Sequence, residues 1–139
     1  MLLSLKGGVG FAEVLMVIAW TTLLLAHGLL VAKPISVCEL SASAQEYNGK
    51  QVRLVAEYVT DRRHGAYFVD KKCPRSNVAR GIDSKDPKGP SVVAFDQAIS
   101  AGSLTHKLAK FEVDVTGRYD SSGKGSLSIE KVWSYRKIP

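Results

Sequence analysis

The sequence predicts a small, mainly β domain preceded by a hydrophobic leader. Residues 14–32 contain no charged side chain, whereas the chain from Lys33 onward is polar and basic. From Gln51 onward, apolar and polar residues alternate in short runs that are separated by Gly-, Asp- and Ser-containing turns, as in half-buried strands. The chain's two cysteines, Cys38 and Cys73, both follow the leader. A leader followed by a small domain with a cysteine pair is typical of an exported protein with one disulfide.

Residues 1–32 are expected to be a signal peptide or an N-terminal membrane anchor, and residues 33–139 to form the folded domain. The uncharged run is slightly long for a cleaved signal and close to the roughly 20 residues that cross a bilayer. The Ala26-His27-Gly28 stretch places two small residues at a spacing that signal peptidase accepts. This spacing favours cleavage over a retained anchor. Both alternatives place the domain outside the cytoplasm, either secreted or in the periplasm or cell envelope.

The cysteines are expected to form a Cys38–Cys73 disulfide, since two cysteines allow a single intramolecular pairing. Free thiols in a reducing cytosol are the alternative, and the leader argues against them. Such a bridge would stabilise a small domain by about 3–4 kcal/mol in the loop-entropy model. The C-x-x-C spacing of redox catalysts is absent from this chain, so the bridge is interpreted as structural.

A short helix and a hairpin are predicted at the start of the domain. Ser36 and Glu39 fit a capping box, which predicts a helix over residues 37–47. The first strand begins at Gln51. A turn over residues 61–65 then leads to a second strand over residues 66–70.

The middle of the chain is less regular. Residues 74–90 are predicted to be a long loop, and residues 91–95 a third strand. A weak helical signal over residues 97–110 is interrupted by a glycine. Residues 111–119 then alternate strictly between apolar and polar side chains, which predicts a fourth strand with one buried face.

The last strand is predicted to contain a bulge. Leu127 and Ile129 continue a period of two, but Val132 and Trp133 break its phase. An extra residue near residues 130–131 would restore the buried face.

Five short strands with a helix between the third and fourth follow the order of the OB fold, a partly open five-stranded barrel. Three segments resemble small bacterial exported OB-fold proteins of the tRNA-anti-like type: residues 46–54, the hairpin 56–69, and residues 111–119 with their Val-Thr-Gly stretch. The resemblance covers roughly residues 36–136. It implies an OB-like barrel with a short N-terminal helix behind the hydrophobic leader helix. Ala56 stands where these families often have glycine, which argues against a sharp bend in the first strand.

The resemblance also implies a place for a binding site. OB barrels bind ligands on the face of strands two and three, between the loops that join strands one to two and four to five. On this chain the corresponding candidate residues are Arg62, Arg63, His64, Tyr67 and Lys124, with the long loop over residues 75–88 beside them.

The composition bears on the ligand. The chain has 19 Lys and Arg against 13 Asp and Glu, a formal net charge of +6, which indicates either a solvated basic surface or a general affinity for polyanions. Stacking of single-stranded bases requires exposed rings as well. Tyr67 is one candidate ring, and Trp133 is expected either to pack over a barrel end or to be partly exposed. The rings expected in the core are Phe68, Phe95, Phe111 and Tyr119.

No catalytic residue, cofactor or metal is expected. His64 is interpreted as a solvated turn residue, and His106 has no acidic neighbour in sequence. Asp83 and Asp86 are interleaved with lysines, and a calcium loop would need several more oxygen ligands.

These patterns predict a non-enzymatic exported binding or scaffolding module of the cell envelope. Its expected partner is a protein or an anionic envelope polymer. One alternative is a single-stranded nucleic-acid or oligosaccharide binder that uses the basic rim. Another is a membrane-tethered accessory subunit in which the leader is retained.

Overall fold

The computed structural model describes residues 32–82, 87–101 and 107–139. The predicted leader lies outside these ranges except for Ala32. Within them no helix is long and apolar enough to cross a membrane. The described elements are three short helices and five strands: α1 (Val37–Ala42), α2 (Ala44–Tyr47), β1 (Gln51–Thr60), β2 (Ala66–Val69), β3 (Asn77–Arg80), α3 (Pro90–Ser100), β4 (Ala109–Asp120) and β5 (Ser126–Ile138).

The five strands form one sheet that closes into a ring. Neighbours follow the order β1–β2–β3–β5–β4, and β4 pairs back onto β1. Every pairing is antiparallel except that of β3 with β5, which is parallel and short. The predicted mainly β fold, with a helix between the third and fourth strands, is confirmed at this level.

The long strands place their apolar residues inside the ring. On β1, Leu54 is fully buried and Tyr58 nearly so, while on β4 Val113 and Val115 alternate with polar neighbours. All four rings expected in the core are buried there. The main buried residues are Val37, Leu40, Val52, Leu54, Tyr58, Phe68, Val78, Val92, Phe95, Phe111, Val113, Val115, Tyr119, Leu127, Ile129 and Val132.

The predicted loop over residues 74–90 is wrong in part, because it contains β3. This strand has one fully buried apolar residue, Val78, and the next inward-facing position is Arg80. A charged side chain at an inward position removes the alternation by which strands are recognised.

The predicted third strand over residues 91–95 is wrong, since those residues lie in α3. Pro90 occupies the start of the helix, where its missing N–H costs nothing. Val92, Phe95 and Ile99 are buried at helical spacing. The helical signal placed over residues 97–110 coincides with α3 as far as Ser100. Residues 102–106 lie outside the described residues, and β4 has begun by Ala109.

The predicted N-terminal helix is interrupted. Its capping box is confirmed: the Glu39 N–H donates to Ser36 Oγ at 3.1 Å, and the Ser36 N–H donates to Glu39 Oε2 at 2.8 Å. Ser43 then leaves helical geometry, with φ −123° and ψ 36°, and separates α1 from α2.

The predicted bulge in β5 is confirmed and a second one follows it. Register shifts occur between Thr116 and Gly117 and between Asp114 and Val115 of β4. The pairing of β5 with β4 skips Glu130 at the first shift and Trp133 at the second. Gly117 permits the close approach at the first bulge, since a Cβ there would lie 2.3 Å from the Ser128 carbonyl oxygen.

A charged cluster joins α3 to the ring. Arg80 Nη1 donates to Tyr58 Oη at 3.2 Å, and Arg80 Nη2 lies 2.7 Å from Asp96 Oδ1 on α3. Lys88 Nζ donates to the other carboxylate oxygen of Asp96 at 2.9 Å. Beside this cluster Phe95 packs edge-on against Tyr58, with ring centroids 5.1 Å apart. Burial by itself would raise the pKa of Asp96, but the hydrogen bonds from Lys88 and Arg80 outweigh it and hold the pKa below its ordinary value.

The Cys38–Cys73 disulfide is confirmed. It joins the first turn of α1 to the turn that follows β2, across 35 residues of sequence and with a Cα–Cα distance of 5.7 Å. A bridge of this kind is compatible with an oxidising, exported location.

We predict that the unreduced, denatured protein contains no titratable thiol. Replacing both cysteines with alanine should lower the free energy of unfolding by about 3–4 kcal/mol, because the bridge restricts the unfolded chain. Thiol titration and urea denaturation measure the two effects. Two reactive thiols in the unreduced protein would contradict the bridge.

We predict that Asp96→Asn lowers the free energy of unfolding by about 1–2 kcal/mol at pH 7, because it weakens charged hydrogen bonds in a half-buried cluster. The folded pKa of Asp96 is lowered, so its contribution is complete above the ordinary pKa and lost as pH falls through the folded pKa. Urea denaturation should therefore show a difference from the unsubstituted protein that shrinks in acid.

Glu112→Gln is the matched control. Glu112 pairs with Arg136 at 2.5 Å, but their side chains are 57% and 69% exposed. Removing this pair should change the free energy of unfolding by no more than about 0.5 kcal/mol. Equal losses in the two variants would contradict a structural role for the Asp96 cluster.

Candidate functional site

The predicted site residues lie at two ends of the β1–β4 ladder. Residues 61–65 follow Thr60, which pairs with Ala109, whereas residues 121–125 follow the far end of β4. The structure therefore brings Arg62, Arg63 and His64 together in one loop and separates them from Lys124. Tyr67 lies on β2 between them.

Arg62 is held by the fold. Its Nε donates to the carbonyl of Ile99, in the last turn of α3, at 2.8 Å. Its N–H donates to Thr60 Oγ1 at 3.0 Å, and its backbone has a φ of +65°. The bond to Ile99 holds the loop 61–65 against α3, and the bond to Thr60 holds it against the end of β1.

Asp61 organises the rest of this loop. Its Oδ1 accepts hydrogen bonds from the N–H groups of Arg63 and His64 at 2.9 and 2.8 Å, and Oδ2 lies 2.5 Å from His64 Nδ1. The hydrogen bonds from His64, with a further one from the Arg63 N–H, hold the pKa of Asp61 well below its usual range. Arg63 is exposed and forms no ion pair with any residue in the described ranges, so its charge is available to a ligand.

Tyr67 is an exposed ring on the outer side of the sheet. It pairs with Val59 on one side and Ala79 on the other, and its side chain is 41% exposed. Its neighbour Phe68 is fully buried, as alternation along a strand requires. The prediction that β2 has one exposed aromatic side chain, Tyr67, and one buried aromatic side chain, Phe68, is confirmed.

Lys124 lines a polar concavity of about 260 Å³. Its walls come from three separate segments, namely α1, the turn between β2 and β3, and the turn between β4 and β5. The parallel pairing of β3 with β5 brings the two turns together, and the Ala79 N–H donates to the Gly125 carbonyl at 3.0 Å. The other lining residues are Ser41, Arg75, Ser76 and Asn77.

Sequence reasoning did not name these four residues as site residues. Arg75, Ser76 and Asn77 lay in the loop that was expected beside the rim, whereas Ser41 was missed. The sequence contained a signal for two of them. Ser41 lies three residues after Cys38 in a helix, and Arg75 lies two residues after Cys73. The disulfide therefore brings these two positions close to each other.

Some basic residues of the domain form ion pairs with acidic neighbours, and others do not. On the outer side of β1, β4 and β5, Arg53 makes a two-point contact with Asp114 at 2.8 and 2.7 Å. Arg136 is paired there as well. By contrast, Arg75 and Lys124 form no ion pair within the part of the chain that is described, and no acidic residue lines their concavity. The unbalanced positive charge of these residues therefore lies beside β2 and β3.

Trp133 is partly exposed, which was one of the two expectations for it. The second bulge places it on the outer side of β4 and β5, with its side chain 41% exposed. Its Nε1 donates to Thr116 Oγ1 at 2.8 Å, and the cationic groups of Arg53 and Lys131 lie 4.8 and 3.6 Å from the ring centre. Trp133 therefore lies on β5, which does not neighbour the strand of Tyr67, and already has two cations against its ring.

Two of the groups considered above for metal binding or catalysis, the Asp83–Asp86 segment and His106, lie outside the described residues. Where side chains are described, the ligand atoms of Cys38, Asp70 and Cys73 lie within 4.8 Å of one another. The two sulfurs are bonded to each other, so they are not thiolates that could bind a metal.

We predict that Arg62→Ala lowers the free energy of unfolding by about 1 kcal/mol, because the Ile99 carbonyl loses a charged donor. Arg63→Ala is the matched control in the same loop and should change it by no more than about 0.5 kcal/mol. Urea denaturation of the two variants measures the difference. Equal effects on stability would show that Arg62 does not hold the loop.

The residues that carry the candidate site form what we call the β2–β3 face. It has Arg63 at one end, Tyr67 in the middle, and Arg75 and Lys124 at the other end. Comparisons of the chain with protein-family models, with curated proteins and with solved structures returned no match.

Proposed function

We propose that the domain is an exported, non-enzymatic, OB-like binding module of the cell envelope, and that its β2–β3 face binds an anionic polymer. One observation carries this proposal. Arg63 at one end of the face, and Arg75 and Lys124 at the other, form no ion pair with a described residue. On the opposite side of the ring, Arg53 and Arg136 are each paired with an acidic neighbour.

The architecture supports the OB-like assignment and the resemblance to exported proteins of the tRNA-anti-like type. The strand order β1–β2–β3–β5–β4, with α3 between β3 and β4, is the order expected of an OB barrel. OB barrels bind ligands on the outer side of their second and third strands. The β2–β3 face occupies that position.

The spacing of the cations favours an extended ligand. Strand β2 has four residues and is about 13 Å long at about 3.3 Å per residue. A single small anion cannot contact both ends of a face of this length. A linear polymer with repeated negative charges can contact both ends and lie across Tyr67 between them.

Export is supported by the leader and by the disulfide together. The bridge stabilises a small domain where thiols are oxidised. If the leader is retained, the same domain would be tethered to the membrane and could act as an accessory subunit.

A single-stranded nucleic acid or an oligosaccharide is the second candidate ligand, favoured by the exposure of Tyr67. Single-strand binders combine a basic groove with aromatic rings on which successive bases stack. The other exposed aromatic side chains of the described residues, Trp133 and Tyr135, lie on β5, so Tyr67 is the aromatic side chain that the β2–β3 face offers for stacking. A protein partner with an acidic segment would use the same cations.

We predict salt-sensitive binding of the full, oxidised chain to polyphosphate or to poly-glutamate. Arg75→Ala/Lys124→Ala should weaken binding about tenfold at low salt, because two contacts to the polymer are lost. Lys137→Ala is a matched control, since Lys137 is an exposed lysine on β5 and should leave affinity nearly unchanged. Fluorescence anisotropy of labelled polymers measures this.

Absence of binding to both polymers at low salt would contradict the proposal, as would equal losses in the site and control variants. An oligonucleotide that binds more tightly than either polymer, with an affinity that falls on Tyr67→Ala, would instead support the nucleic-acid alternative.

A further inference from the structure

We infer that the concavity lined by Lys124 is a subsite for a tetrahedral oxyanion, a phosphate or sulfate ester group, and that the disulfide holds its walls. The inference rests on the proposed function and specifies which charged group of the polymer is recognised. The five lining residues are Ser41, Arg75, Ser76, Asn77 and Lys124.

All five lining side chains can donate hydrogen bonds. Arg75 and Lys124 supply positive charge, two serines supply hydroxyl groups, and Asn77 supplies an amide. None of these side chains makes a hydrogen bond or an ion pair with another residue of the described ranges. Hydrogen-bond donors from three segments therefore line this concavity, and no carboxylate is among the lining residues.

The number of donors favours a tetrahedral anion over a carboxylate. A carboxylate has two oxygens in one plane, and a single guanidinium satisfies both, as Arg53 does for Asp114 elsewhere in this protein. Phosphate and sulfate esters carry additional oxygens that point away from that plane. The neutral donors of Ser41, Ser76 and Asn77 would reach those oxygens from other directions.

The disulfide connects the two walls of this concavity. Cys38 precedes Ser41 by about one helical turn, and Cys73 precedes Arg75 by two residues. On the second wall, the Ser76 N–H donates to the Cys73 carbonyl at 2.9 Å, which closes the turn. Because α1 has six residues, the covalent bond is a main constraint on where Ser41 stands relative to Arg75. Donors that are fixed before binding lose less conformational freedom when the ligand arrives.

The test compares three polymers of matched charge on the full, oxidised chain at one ionic strength: polyphosphate, dextran sulfate and poly-glutamate. Polyphosphate, dextran sulfate or both should bind about tenfold more tightly than poly-glutamate, and which of them does so shows whether the recognised group is a phosphate or a sulfate. Ser41→Ala/Ser76→Ala should remove that preference, with about a tenfold loss for the favoured polymer and no change for poly-glutamate. Ser134→Ala, an exposed serine on β5, is the matched control and should leave all three affinities unchanged.

Equal affinity for all three polymers would overturn the subsite and leave the proposed function standing, whereas absence of binding to any of them would overturn both. A preference that survives Ser41→Ala/Ser76→Ala would also overturn the subsite. Reduction of the disulfide should lower the preference at least about threefold while circular dichroism shows a folded sheet. An unchanged preference in the reduced, folded protein would overturn the role of the bridge, and if reduction unfolds the protein the serine variants decide the test.

Discussion

The short parallel pairing of β3 with β5 is the constraint on which the rest of the structure depends. Two residue pairs, Ala79 with Ser126 and Arg80 with Leu127, close the ring at this point. The Gly81 N–H extends the contact by donating to the Leu127 carbonyl at 2.9 Å. Without this pairing the turn that carries Arg75 and the turn that carries Lys124 would not meet. Ring closure and the candidate site therefore have the same origin.

The sequence predicted the elements whose pattern is local. Strands β1 and β4 alternate over ten and twelve residues, and each exposes one face to water, so periodicity was sufficient to find them. Strand β3 escaped detection because Arg80 turns inward to meet Asp96, a partner on a helix later in the chain. The helix α3 was mistaken for a strand because its first turn contains the β-branched pair Val92 and Val93, which favours strands in isolation.

The candidate site was predicted less completely than the fold, for a physical reason. Arg63 and Tyr67 follow from the position of the hairpin, and an OB-like arrangement brings Lys124 near the same face. The partners of Lys124 depend on contacts between distant segments: Ser41 is brought near it by the disulfide, by the packing of α1 in the core and by the β3–β5 pairing. Charge counting over the whole chain also does not show which cations are paired: Arg53 and Arg136 have acidic partners, whereas Arg75 and Lys124 have none among the described residues.

The side of β5 that faces away from β4 bears on whether two copies of the protein can pair through this strand. Beyond Leu127 this strand pairs with β4 on one side. The helix α3 packs against β5 at Val132, whose N–H donates to Ser91 Oγ at 3.1 Å, and residues 133–137 have no second strand beside them within the described ranges. An open strand margin of that kind can recruit a second chain into a continuous sheet. Residues 133–137 are exposed and include Lys137, which forms no ion pair with a described residue. Its positive charge would repel an identical strand brought alongside. Lys137 thus disfavours pairing between identical β5 strands, a role that is separate from that of the cations beside β2 and β3.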